Sequence, residues 1–406
     1  MSTPGFGSPV RRIFLAQFIS VTGDKLFVIA LSWWVVDKAD FPDREFILGL
    51  LLATSTLPMA LAGPLLGPLI DRHSKRACMI AADLGRLLLM MTLAYLIHED
   101  RLDLPLLFAL CVPIFALEPL FDSSVSASLS SLARNSEMLS QLVALESAIP
   151  NLGAVMGALS GSLALAWWTT ETAFWFNAAT FLLSLLLVLG MPALRPGKID
   201  ESPHSSGKGY RFLKRYPAAT RLMICFGLAN FFVAPLFFYL PLLARDVLNT
   251  DGSGLAQLEL AFAAGNLIVL AYFFLRPKEY IRVRWLRFFL VALSGAFFFV
   301  LGHTDLLYQL LAALLAWGGS VAFVTFLAIS SFQRTIPDEF KGRFFAVLTS
   351  ICTMTLPLSF ACVGFLSTQF SLQDLLFGNG LGVVAISLTF LSIPDEKKPY
   401  ATLEAD

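Results

Sequence analysis

The stretch GPLLGPLIDRHSKR, Gly63 to Arg76, ends a long apolar run and turns abruptly charged. Gly63, Gly67 and Asp71 are spaced four apart, so they share one face of a helix, and the two glycines let a second helix come close. Arg72, Lys75 and Arg76 follow at once. Read alone, this is the end of a membrane helix with a basic anchor. The rest of the chain supports that setting. Of its 406 residues 57% are hydrophobic and 14% charged, with mean hydropathy +0.73, too little polar surface to clothe a water-soluble core of that size.

A helix needs roughly 20 apolar residues to cross the hydrocarbon layer. Runs of that kind recur at 12–36, 46–70, 77–97, 104–127, 139–165, 171–191, 218–246, 254–275, 285–302, 306–332, 342–367 and 372–393. The expected fold is therefore an all-α membrane protein of twelve transmembrane helices. The most polar long interruption, Arg195 to Pro217, is rich in Pro, Gly, Ser and basic residues and reads as a linker or surface helix. It divides the chain into a six-helix bundle (1–191), a cytoplasmic linker (192–217), a second six-helix bundle (218–393) and a tail (394–406). SLARNSEMLSQL before the fifth helix and TIPDEFKGRFFAV before the eleventh are similar helix–loop–helix junctions, which points to a duplicated bundle with a substrate site between the halves. Of the 29 Lys and Arg, 23 lie in or beside the N-terminus, the even-to-odd loops and the tail, against 4 in the odd-to-even loops. Both termini are expected in the cytoplasm.

Other classes are disfavoured. The formal charge is zero, with 29 basic and 29 acidic residues, so nothing draws the chain to nucleic acid. The five cysteines lie inside apolar runs without a CxxC spacing, and the four histidines are scattered, a pattern of core hydrophobes rather than a metal site. The N-terminus MSTPGFGSPVRR lacks an early apolar segment and cleavage site, so the first helix is expected to be retained. No GxxxxGK[ST] loop is present, which disfavours ATP as energy source and leaves an ion gradient. No enzyme chemistry, metal or other cofactor is expected.

Gly67-Pro-Leu-Ile-Asp71-Arg72-His73-Ser74-Lys75-Arg76 resembles the signature loop of the major facilitator superfamily, roughly G-x-L-a-D-r-x-g-r-[KR], with Ser74 where that pattern has its second glycine. Twelve helices in two pseudo-symmetric bundles around a central linker resemble that fold. QFISVTGDKLFVIALSWWV, DRHSKRACMIAADLGR and FQRTIPDEFKGRFFAVLTS, carrying Gly23-Asp24, Asp83 with Arg86, and Pro337 with Gly342-Arg343, resemble the macrolide-efflux and enterobactin-exporter branch. The resemblance implies secondary active transport by alternating access. It implies proton-driven export of an amphipathic small molecule, a drug such as a macrolide or a siderophore, from a bacterial inner membrane by a protein working as a monomer. It also implies that Gly67, Asp71, Arg72 and Arg76 form a cytoplasmic gate, Asp71 engaging the start of the eleventh helix near Gly342 and Arg343. A topogenic role for the basic residues is compatible with that. A lipid or lysophospholipid transporter of the same fold, and a non-transporting receptor or scaffold, are the alternatives.

The intramembrane ionisable residues are the candidate working parts. Asp24 lies 12 residues past Arg12, roughly 18 Å along the helix, where a carboxylate serves either as a proton or cation site or as a structural hydrogen-bond partner. Glu118 and Asp122 are one turn apart on the fourth helix and form a candidate proton carrier, unless Asp122 joins Arg134 and the glutamates pair with bases. Glu146 is a further candidate. Asp83 and Arg86, three apart, are expected to ion-pair, for support, gating or substrate contact. The GxxxGxxxG run Gly153, Gly157, Gly161 is a close-packing face that loosely resembles the antiporter motif of the superfamily. The second half holds 25 of the 37 phenylalanines, and all deep charges are expected in the first half. That suggests charge coupling in one bundle and an aromatic wall in the other, with Asn230 and Tyr239 as candidate cavity-lining polar groups.

Overall fold

The structure, a computed structural model, describes residues 7–37, 43–133, 135–192, 214–275 and 284–393. The expected tail, residues 193–213 of the expected linker, and Arg134 lie outside them. Twelve helices among the described residues are long and apolar enough to cross a membrane. They are α1 (Ser8–Asp37), α2 (Arg44–Arg72), α3 (Lys75–His98), α4 (Leu104–Leu132), α5 (Ser136–Trp167), α6 (Thr170–Leu189), α7 (Pro217–Val247), α8 (Gly252–Leu275), α9 (Arg284–His303), α10 (Leu307–Thr335), α11 (Asp338–Leu366) and α12 (Leu372–Leu391).

Short polar caps start many of these helices. Asp103, Asn135 and Thr169 accept the amides that open α4, α5 and α6, and Ser371 with Asp374 forms a capping box on α12, each satisfying otherwise orphaned donors. Ser74 of the opening stretch has the same role. It lies in extended conformation, φ −67°, and its hydroxyl accepts the Ala77 amide at 3.1 Å. No left-handed backbone is needed at that turn, which explains why serine serves where the family pattern has glycine.

Helix α7 is continuous in sequence hydropathy but broken in structure. It runs as Pro217–Val233, Leu236–Leu242 and a π-helical turn, Leu243–Val247. The break follows from Pro235, which has no amide to give the carbonyl of Phe231 four residues earlier. Ser359 of α11 supplies the missing donor, its hydroxyl 2.5 Å from that carbonyl, as a backbone group at membrane depth requires.

Two sets of neighbours organise the packing. Helix α1 packs on α5 and α6, and α3 on α4 and α6; α7 packs on α11 and α12, and α9 on α10 and α12. The second set is the first shifted by six helices, the pattern of a duplicated six-helix unit. By contact the chain forms two compact units. One holds α1, α3–α6, most of α2 and Asn249–Leu260 at the start of α8. Its core includes Ile13, Met79, Phe121, Val125 and Leu142. The other holds Glu45–Ala53 of α2, α7, the rest of α8 and α9–α12. Its core is aromatic: Tyr239 meets Phe298 edge-on, and Phe298 and the half-buried Phe262 each meet Trp317 edge-on. There α8 and α10 meet backbone to backbone, since a Cβ on Gly265 would strike the Leu315 carbonyl and one on Gly318 the Phe262 carbonyl.

Candidate functional site

The site in the first unit is built by glycines before it is built by charges. A Cβ at Gly23 would strike Asn177 and Thr180 of α6, and one at Gly157 would lie 2.6 Å from the Lys25 Cβ and 2.7 Å from the Thr22 carbonyl. Gly153 would meet Val21 Cγ1 at 2.6 Å. Bare backbone at these positions lets α1 settle between α5 and α6. The GxxxGxxxG run is thus the seat of α1, and Gly23 puts its neighbour Asp24 within reach of α3.

Arg86 waits there, 1% exposed. Its Nη1 lies 3.0 Å from Asp24 Oδ2 and its Nη2 2.7 Å from Asp83 Oδ1. Ser184 of α6 donates to the other Asp83 oxygen at 2.6 Å, and Ser20 donates to Asp24 at 3.4 Å. The guanidinium also lies 4.5 Å from the Phe181 ring centroid and 5.2 Å from that of Phe121, cation–π contacts that favour the charge where water is absent. One arginine therefore ties α1 and α3 together, with α4 and α6 contributing the rings. The expected Asp83–Arg86 pair is present. Its second carboxylate, Asp24, belongs to another helix and was not expected.

A cavity of about 210 Å³ adjoins this network, lined by Val21, Asp24, Lys25, Val28, Ile114, Phe115, Glu118 and Ala154. Glu118 makes no hydrogen bond or ion pair among the described residues, although it lies within the electrostatic reach of Asp24, Asp122 and Arg86. Asp122, one turn on, accepts a hydrogen bond from Gln17 Nε2 at 3.3 Å. Glu146 on α5 accepts from Ser126 of α4. The alternative in which Glu118 and Glu146 pair with bases finds no support here, since one has no partner among the described residues and the other a hydroxyl.

One expectation is corrected. The deep charges are not confined to the first half, because Glu259 of α8 is buried, 6% exposed, with its carboxylate 3.3 Å from Lys25 Nζ. Desolvating it is tolerable because the lysine is at hand. Tyr239, a candidate cavity-lining group, sits in the interior of the second unit. It is fully buried, its hydroxyl accepts from Asn379 Nδ2, and Phe238 and Phe298 flank its ring. Asn230, half-buried, donates to the Phe226 carbonyl at 2.9 Å and faces the Cys352 sulfur at 3.9 Å.

In the opening loop, Arg72 is exposed, while the other basic residues are spent on helix ends. Lys75 donates to the Ile70 carbonyl at 3.0 Å. Arg76 donates to the carbonyls of Val188 at 3.2 Å and Leu189 at 2.6 Å, and Arg12 to that of Gly190. Two guanidiniums thus cap the C-terminal end of α6, where unpaired carbonyls and the helix dipole favour cations. Asp71 and Arg343, with Gly67 and Gly342 beside them, lie outside the described side chains.

Residues absent from the sequence expectations include Gln17, Ser184, Ser359 and Glu259. Only Glu259 carried a signal, a single carboxylate in the apolar run LAQLELAFAAG.

Comparison with known proteins places this arrangement. Macrolide efflux protein A of Streptococcus pyogenes is 20% identical over 95% of this chain and 96% of its own length. The Enterococcus faecalis protein of the same name is 22% identical over 74% and 95%. MFS-type transporter YfiS of Bacillus subtilis (strain 168) is 25% identical, over 51% of this chain and 50% of its own. The crystal structure of a point mutant of the nucleoside transporter NupG superposes with a TM-score of 0.75 at 11% identity, covering 95% of this chain and 99% of that one. That of a D-xylose–proton symporter gives 0.73 at 13%, covering 96% and 99%. The family model of the Major Facilitator Superfamily matches residues 13–361, and with it the chain belongs to that superfamily of secondary membrane transporters, not to an enzyme family.

Proposed function

We propose that this protein is a proton-coupled exporter of amphipathic organic compounds, either drugs of the macrolide kind or siderophores. In this reading the bundles 1–191 and 218–393, joined by the linker 192–217, rock about a central site in a bacterial inner membrane. Both termini, the tail 394–406 included, face the cytoplasm, and a single copy is the working unit. Asp71 with Gly342 and Arg343 closes the cytoplasmic side. The supporting observation is the charge arrangement at the cavity. One guanidinium, Arg86, serves Asp24 and Asp83 directly and has Glu118 and Asp122 within its electrostatic reach, while Glu118 on the cavity wall has no partner among the described residues. Four carboxyls around one cation leave negative charge in a largely apolar setting, and a proton or a cationic substrate group balances it. Alternation between those two occupants is the chemistry of antiport. Similarity to macrolide efflux protein A along nearly the full chain supports the outward direction.

The test uses everted membrane vesicles holding an acid-interior gradient reported by a quenched acridine dye, with erythromycin and a catecholate siderophore as probes. Wild-type protein is expected to discharge the gradient on addition of one probe. Asp24→Asn and Glu118→Gln are each expected to lose that response. Full proton-driven flux in both variants overturns the assignment.

A further inference from the structure

We propose that Asp122 is the seat of the coupling proton, and that Gln17, facing it from α1, is the positioning residue that accommodates both its charged and its neutral form. This rests on the proton-coupled reading above and names the site within it.

Gln17 is 2% exposed. Its Nε2 donates to Asp122 Oδ1 at 3.3 Å, while its Oε1 is buried with no hydrogen-bond partner among the described residues. An orphaned buried acceptor is costly, yet this one belongs to the amide that faces the group able to become a donor. A carboxylate only accepts, whereas a carboxylic acid also donates through its O–H. A carboxamide matches both states, offering its NH₂ to the carboxylate and its carbonyl oxygen to the acid after a half-turn of its terminal torsion. The neighbouring aspartates differ in being held by a cation as well as by the Ser20 and Ser184 hydroxyls. Asp24 and Asp83 are ion-paired to Arg86, which has donors only, so taking up a proton there means giving up an ion pair. At Asp122 it means exchanging one hydrogen bond for another.

The charged groups facing Asp122 come from every helix packed on α4. Helix α3 brings Arg86 and Asp83, α5 brings Glu146, and α1 brings Asp24, with Glu118 on α4 itself. Arg86 is the one cation among them, so a proton on Asp122 reduces repulsion inside the cluster. Glu118 lies one turn away on the same face and borders the cavity, which makes it the entry point. With water from the cavity as the carrier between them, the O–H bond at Glu118 breaks and one at Asp122 forms, and the same path in reverse releases the proton.

The full-length protein, purified without substrate, is titrated with acid while infrared spectroscopy follows the carbonyl stretch of protonated carboxyls. Asp122→Asn is expected to remove one such band. Gln17→Leu is expected to shift its frequency and to move its titration midpoint by about tenfold in proton concentration, the effect of one buried hydrogen bond. A structural role for Gln17 would leave both unmoved. A full set of bands in Asp122→Asn, or an unmoved band and midpoint in Gln17→Leu, overturns the proposal. If Asp122→Asn does not assemble, Gln17→Leu decides by itself. No substrate or gradient enters this measurement, so wild-type vesicles without proton-driven export defeat the exporter reading alone, and persistence of the band in Asp122→Asn defeats this assignment alone.

Discussion

Replacing Arg86 with glutamine removes the charge and leaves a shorter, neutral carboxamide, and it isolates what one guanidinium holds together. Asp83 is fully buried and Asp24 largely so, and neither has another cation in contact among the described residues. Removing one member of a buried ionic network and leaving its partners uncompensated costs about 3–5 kcal/mol. The ring contacts at 4.5 and 5.2 Å add about 0.5–2 kcal/mol each where water is excluded. Arg86→Gln is therefore expected to lower stability by roughly 4–9 kcal/mol, comparable with the whole margin of an ordinary domain. Arg86→Lys keeps the charge but not the fork that reaches two carboxylates, so it should fall in between. Asp83→Asn/Arg86→Gln leaves one carboxylate instead of two and is expected to regain about half of the loss. Denaturant unfolding of the purified protein in detergent micelles, followed by tryptophan fluorescence, gives the three differences on one scale. Arg86→Gln unfolding within about 0.5 kcal/mol of wild type, the ordinary range for a surface change, would refute the argument that this network is a stabilising crosslink between helices.

Two further outcomes follow from the same physics. Lys25→Met strands the Glu259 carboxylate, which is expected to cost about 3–5 kcal/mol in the same unfolding assay, whereas Lys25→Met/Glu259→Gln recovers most of it; a double variant no more stable than the single one argues against the pair. Ser359→Ala deprives the Phe231 carbonyl of its substitute donor and is expected to destabilise by about 1–3 kcal/mol, while Ser359→Thr, which keeps the hydroxyl, should fall closer to wild type; equal stability of Ser359→Ala and wild type contradicts the account of the α7 break.

The twelve spans were legible because membrane crossing is a demand on composition, and composition is what a sequence states most directly. The Asp83–Arg86 pair was legible because three-residue spacing places both groups on one helix face. Asp24 as the third member was not, since its contact depends on how close α1 comes to α6, and Gly23 permits that approach without announcing its depth. Glu259 was passed over because a single carboxylate near the start of an apolar run looks like a helix end. Its burial depends on Lys25, which is 234 positions away in the chain. The break in α7 has a local cause, Pro235, but its repair by Ser359 involves another helix. Gln17 and Ser184 gave no sign, because an amide or hydroxyl in a membrane helix is informative only once its neighbour is known.

The arginine caps on α6 bring time into the structure. Arg76 precedes the carbonyl of Val188 by 112 residues, so during synthesis its guanidinium is exposed well before α6 exists. On the proposed orientation it spends that interval as a free positive charge on the cytoplasmic side, helping to fix the direction of the second and third helices. Only when α6 arrives does it turn from the aqueous phase to the helix end and, with Arg12, secure the last turn of α6. On that orientation the same side chain is first a signpost for insertion and later a buckle, and a substitution there would act twice, once on a protein still being made and once on the finished one.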